Sequence, residues 1–155
     1  MGQLRTSYQI EKVTIDSAAA AYSIGDQVGT LQNFAGSRFE TELSGSNLKS
    51  VTVMDESGTK PELDLLFFQE APTVTSVDNG AVSVSDAEMD KCLGVVTILA
   101  SDYMDLASNA VASAATDLVF TTKDGATAIY VLAVTQSAVT LTASGLKLKL
   151  GLDMA

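Results

Sequence analysis

Apolar and polar residues alternate in short runs along most of this chain, a repeat of two that marks half-buried strands. Met1 to Ser7 is a polar lead-in, or an extended N-terminal arm, with Leu4 as its one apolar anchor. Tyr8 and Ile10 share one side of an extended segment and Val13 and Ile15 the other. The parity flips across Glu11-Lys12, which predicts a bulge or a break between two short strands. Asp16 to Ala21 is small and loop-like. Tyr22-Ser-Ile-Gly-Asp-Gln-Val-Gly29 reads as a tight corner, where Gly25 takes a positive φ without steric cost and Asp26 bonds back onto the turn. Gly29 to Phe34 is a short strand. Phe39, Thr41 and Leu43 alternate with Glu40 and Glu42, predicting a half-exposed strand.

Leu48 to Met54 is the next strand, with Val51 and Val53 on one face and Ser50 and Thr52 on the other. Asp55 to Pro61 is dense in turn formers and predicts a hairpin loop. Glu62 to Gln69 then starts exposed and ends apolar on both faces, as expected where sheets close over a core. Ser85-Asp-Ala-Glu88 is a capping box. It predicts a helix of about two turns near residues 86–92, with Gly94 just past its end and Met89, Cys92 and Leu93 on its core face. Val95 to Leu99 follows as a buried strand, and Ser101 to Met104 continues or repeats it. Asn109 to Thr116 is alanine-rich, and its propensity allows either helix or strand. Asp124-Gly125 predicts a second hairpin, joining Leu118 and Phe120 to Ala126–Val134. Val139, Leu141 and Ala143 alternate with threonines. Leu146, Leu148, Leu150 and Leu152 alternate with Lys147 and Lys149, giving a last strand with one apolar face.

Many short strands, one small helix and two prolines predict an all-β, antiparallel β-sandwich, jelly-roll-like. A single β domain over residues 1–155 is the expectation for this length and for 46% hydrophobic residues.

Charge narrows the partners. Nineteen acidic residues face nine basic ones, and the basic ones are scattered in sequence. That argues against nucleic acid as a direct partner, which needs clustered Lys and Arg. It suits solubility and association with a basic protein surface. Cys92 is the single cysteine, so no internal disulfide forms, in keeping with assembly in a reducing cytosol. No signal peptide is visible, and the longest apolar stretch, Leu93 to Ala100, is far too short for a helical membrane span.

Candidate chemistry is sparse. The chain has no histidine, which removes His-based triads and the commonest zinc and copper ligand. Carboxylates spaced by two occur at Glu40/Glu42, Glu62/Asp64 and Asp86/Glu88. Each sits where alternation makes the exposed side, so a solvated face explains them better than an acid/base pair. Asp55, Glu56 and Asp78-Asn79 offer oxygens to calcium, but without a D-x-D-x-D-G loop they read as turn residues. No phosphate-cradling glycine motif is present. Neither a catalytic residue nor a metal or cofactor is expected.

The corner Tyr22 to Gly29, the strand Ser44-Gly-Ser-Asn-Leu-Lys-Ser-Val-Thr-Val-Met-Asp55, the run Glu62-Leu-Asp-Leu-Leu-Phe-Phe68, Asp78-Asn79 and Ser85-Asp-Ala-Glu-Met-Asp-Lys91 together resemble small capsid decoration, or cement, proteins of tailed bacteriophages. The resemblance covers roughly residues 8 to 100, and the alanine-rich C-terminal third matches only loosely. It implies a non-enzymatic protein on the outer capsid surface of the virion, made in the host cytoplasm. Its implied partners are the major capsid protein and itself, as a homotrimer or homodimer at a symmetry axis. No site residue carries over, because the shared motifs are folding motifs. The contact residues expected on physical grounds are Leu4, Tyr8 and Ile10, through strand addition to a neighbour. Two other classes compete: another virion part, such as a tail, receptor-binding or carbohydrate-binding jelly roll, and a carboxylate-dependent hydrolase.

Overall fold

A computed structural model describes residues 7–34, 46–120 and 128–154. The described strands are β1 (Ser7–Ile15), β2 (Ala20–Tyr22), β3 (Gln27–Phe34), β4 (Ser46–Asp55), β5 (Leu63–Phe68), β6 (Cys92–Ile98), β7 (Tyr103–Leu106), β8 (Asn109–Phe120), β9 (Ile129–Thr135), β10 (Val139–Leu141) and β11 (Leu146–Met154). A single α-helix, α1 (Asp86–Met89), is described beside them. The expected strand at Phe39–Leu43 and the pair Glu40/Glu42 lie outside the described residues.

Two antiparallel sheets face each other. The first runs β1-β11-β4-β8-β7 and the second β3-β9-β5-β6, while β2 and β10 form a small ribbon of their own. The pairings are nested: β1 with β11, β2 with β10, β3 with β9, β4 with β8 and β5 with β6. The chain is thus one long hairpin rolled into two sheets, the jelly-roll arrangement. Its tip is the connection between β5 and β6. The core lies between the sheets, where Val51, Val53, Leu148 and Leu150 of the first meet Leu65, Phe67, Ile129 and Val131 of the second.

The rolled hairpin corrects two expectations. Residues 56–62 do not join a hairpin, because β4 lies in the first sheet and β5 in the second. Turn formers mark a reversal of the chain but not the strand it will pair with. The loop is held by the Asp55 carboxylate, which accepts from Ser57 N at 3.0 Å, Ser57 Oγ at 2.7 Å, Thr59 Oγ1 at 3.1 Å and Lys60 N at 2.8 Å. Across the bend, Tyr103 Oη donates to the Pro61 carbonyl at 2.7 Å. The Asp124-Gly125 turn itself lies outside the described residues, but β8 and β9 on either side of it also belong to different sheets.

Three strand expectations are corrected as well. β1 is unbroken, in register with β11 from Ser7↔Met154 to Ile15↔Leu146. Tyr8 and Ile10 therefore project outward while Val13 and Ile15 face in, and no bulge is needed. The helix is one turn rather than two. Ser85 Oγ caps it at Glu88 N as expected, but β6 begins at Cys92. Gly94 lies within that strand, where a Cβ would collide with Leu118 Cδ1. Finally, Val96 and Ile98 are buried but Val95 and Leu99 are exposed, so β6 has one buried side.

The alanine-rich segment resolves as a strand. Ala110 and Ala112 are buried on the inward side of β8, and Ser113 lies opposite Thr52 on the other. A real bulge does occur in β4. Lys49 is an extra residue against β11, so the inward positions pass from Leu48 to Val51 and Val53.

Candidate subunit-contact surface

The two outer faces differ. That of the second sheet is covered by the hairpin tip, residues 69–91, which folds back over it. Phe68, Leu132 and Val134 are buried there against Val74, Val84 and Met89. An open groove of about 310 Å³ remains beside them, lined largely by Leu66, Val82, Val84, Leu132 and Val134 with Asp64 as a polar member.

The corner at Tyr22–Gly29 fastens this cover. Asp78 accepts from Gly29 N at 2.6 Å, Tyr22 Oη at 2.7 Å and Ala18 N at 2.9 Å. Backbone bonds add Gln27 N to the Gly80 carbonyl and Val82 N to the Gly25 carbonyl, each 2.9 Å. Gly29 has φ +69°, and a Cβ there would stand 2.6 Å from Asp16 Oδ1, so the corner needs glycine. Burial and the bond to Asp78 push the Tyr22 hydroxyl well above its ordinary value.

Two of the carboxylates considered for calcium, Asp55 and Asp78, are thus engaged in protein hydrogen bonds. Asp55 and Asp78 each accept several donors, and among the described residues no three of His, Cys, Asp and Glu cluster as metal ligands. Burial alone would raise the Asp55 carboxyl, but its donors outweigh that and hold it below the ordinary value. Asp16 is lowered in the same way by Thr30 and Gln32. The paired carboxylates also act singly. Asp64 accepts from Thr97 Oγ1, and Glu88 accepts from Thr73 N and pairs with Lys91.

The outer face of the first sheet has no such cover among the described residues. Tyr8 and Ile10 are 76% and 75% exposed there. Val119 on β8 and Met104 on β7 are exposed on the same side. Among the described residues β1 is an edge strand, paired with β11 alone, so its other edge has backbone N–H and C=O groups with no strand partner described. Leu4, the third expected contact residue, lies outside the described residues.

The register also assembles charges that are scattered in sequence. Lys12 is directly opposite Lys149, one step from Thr14 opposite Lys147, all on this outer face. Lys147 pairs with Glu56 at 2.5 Å and Lys49 with Asp117 at 2.7 Å. Lys12 and Lys149 form no ion pair among the described residues, in a chain of net charge −10. Asp153, opposite Tyr8 at the other end of β1, forms no ion pair among the described residues, with the Asp117-paired Lys49 as the nearby cation. Sequence reasoning missed this arrangement, because it depends on a pairing between the two ends of the chain.

No family model matches the chain, and no curated protein is similar to it. Among solved structures it is loosely similar to a chain of the Israeli acute paralysis virus full particle, at 14% identity and TM-score 0.28, covering 97% of this chain and 68% of that one. A chain of the native Kashmir bee virus virion matches at 13% identity and TM-score 0.29, covering 96% and 68%. A chain of a marine algae virus of the order Picornavirales matches at 9% and 0.27, covering 97% and 69%. Scores this low carry no argument about role, and the fold assignment above rests on the strand order alone.

Proposed function

We propose that this protein is a non-enzymatic structural component of a virion, a decoration protein that binds the outside of an assembled tailed-phage head and bridges its major capsid subunits. The observation that carries the reading is the outer face at the β1 edge, where Tyr8 and Ile10 are exposed beside backbone groups that have no strand partner among the described residues. An edge of this kind favours partners that add a strand. The sequence resemblance supports the same reading. Its motifs fall at folding positions: the Asp78-tied corner, the Asp55 loop, β5 and the capped turn α1. A ligand that binds only the expanded shell would stabilise that shell by mass action, and many copies would act together.

The test is co-sedimentation of purified protein with expanded and unexpanded heads, followed by heat disruption of the heads. The reading expects binding to expanded heads alone and a higher disruption temperature. A protein that ignored heads of both kinds while binding glycans would belong instead to the tail or receptor-binding class.

A further inference from the structure

We infer that the strand added at the β1 edge is the β1 strand of a second copy, paired antiparallel about a two-fold axis at Ile10. The inference rests on reading β1 as the contact strand.

Outward from β1 stand Tyr8, Ile10 and Lys12, in that order. Asp153 lies beside Tyr8, and Lys149 lies beside Lys12. The edge therefore has an acidic, aromatic end and a cationic end, with an apolar residue between them. A parallel in-register partner, or an antiparallel one centred on Lys12, would set lysine against lysine, and one centred on Glu11 would set Glu11 against Glu11, like charges that are unfavourable on directly opposed strand residues. Antiparallel pairing centred on Ile10 sets Ile10 against its own copy and Lys12 against the partner subunit's Tyr8. The lysine then lies over an aromatic ring, an attractive arrangement. Asp153 of the partner subunit is one strand further on. Two strand spacings, about 10 Å, separate its backbone from that of Lys12, a gap that the long lysine stem and the carboxylate bridge together. Each dimer forms this contact twice. On the inward face, Gln9 already donates to Glu11 within its own chain, and the same register sets each Gln9 opposite a second Glu11. Both first sheets then join into one continuous sheet, and two exposed isoleucines cover each other.

The test uses the full chain with Cys92→Ser, so that only introduced thiols react. An antiparallel pair places opposed Cα atoms about 4.5–5.5 Å apart, within disulfide reach. Ile10→Cys is expected to oxidise to a covalent dimer. Tyr8→Cys and Lys12→Cys are expected to cross-link poorly alone and efficiently when mixed. The parent chain should show a concentration-dependent dimer by sedimentation velocity. Lys12→Asp should weaken that dimer by about tenfold, and adding Asp153→Lys should restore it, with circular dichroism confirming that each variant folds. A monomer at every concentration with no register-dependent cross-link would overturn the inference. So would a monomer whose β1 amides become protected only on heads, which would give the edge to a shell segment. Dimerisation is read without heads, so its failure and a failure of head binding are separate results.

Discussion

The two outer faces of this sandwich carry apolar residues in comparable positions, yet one is a core and the other has no cover among the described residues. On the second sheet, Phe68, Leu132 and Val134 disappear beneath residues 69–91, which are pinned to the corner by Asp78. On the first, Tyr8, Ile10 and Val119 stand in solvent. An apolar outward position therefore has two possible answers, a cover from the same chain or a cover from elsewhere. Only the length and fastening of the neighbouring loop tell them apart.

The sharpest way to break this contrast is to empty the covered face. Phe68→Ala should destabilise the protein by about 3–5 kcal/mol, the cost of a large buried aromatic, read by denaturant unfolding. A result within error of the parent would mean the tip does not seal that face. The Asp55 loop, which carries the chain from one sheet to the other, serves as a reference. Asp55→Asn should cost about 2–3 kcal/mol near neutral pH, because a buried carboxylate with several donors loses its charge. The Asp55 and Asp16 carboxyls are held below the ordinary 3.8. Their stabilisation is therefore present above that value and fades as pH falls through the lower folded values. Acid titration of Asp55→Asn should show a shallower loss below about pH 4 than the parent, and parallel curves would refute this linkage.

Asp78→Ala should cost about 2 kcal/mol, since it strips an acceptor from three donors at once. Its signature is local: the Ala18 and Gly29 amides should exchange faster while β4 and β11 amides keep their order of protection. Uniform acceleration would instead mean global weakening. Smallest of all, Ile10→Ser should change stability by no more than about 0.5 kcal/mol, as expected for an exposed site, while reducing subunit association. A large loss of stability there would show that the bare face is already covered within one chain.

Much of the fold is legible in the sequence. Leu146, Leu148, Leu150 and Leu152 alternate so regularly that β11 and its inward face follow directly, and all four are buried. The capping serine and the corner glycines were equally local signals. The pairing partners were not legible. Asp55 to Pro61 announces a reversal, and nothing within it says that the chain is crossing to another sheet. The helix is shorter than its sequence suggests because Gly94 is not a helix stop but a strand position kept small for Leu118. At the β1 edge, the out-of-phase Tyr8 and Ile10 mark an exposed side rather than a kink. The facing of Lys12 and Lys149 needed the register between residues far apart in the chain.

The nested pairing of strands also has a consequence for the order of folding. Leu63 and Ile98 of the β5–β6 pair are separated by a short stretch of chain, whereas Ile15 and Leu146 of the β1–β11 pair enclose nearly all of it. Closing the larger loop costs more entropy and gains from every pair formed inside it. The rolled hairpin is thus expected to zip from its tip outward, with β1 arriving last. Pulse-labelled amides should gain protection at Leu65 before Val13, and the reverse order would exclude this route. A newly made chain would then finish its contact strand only after the body of the protein had become rigid, so recognition at that edge would itself report completed folding.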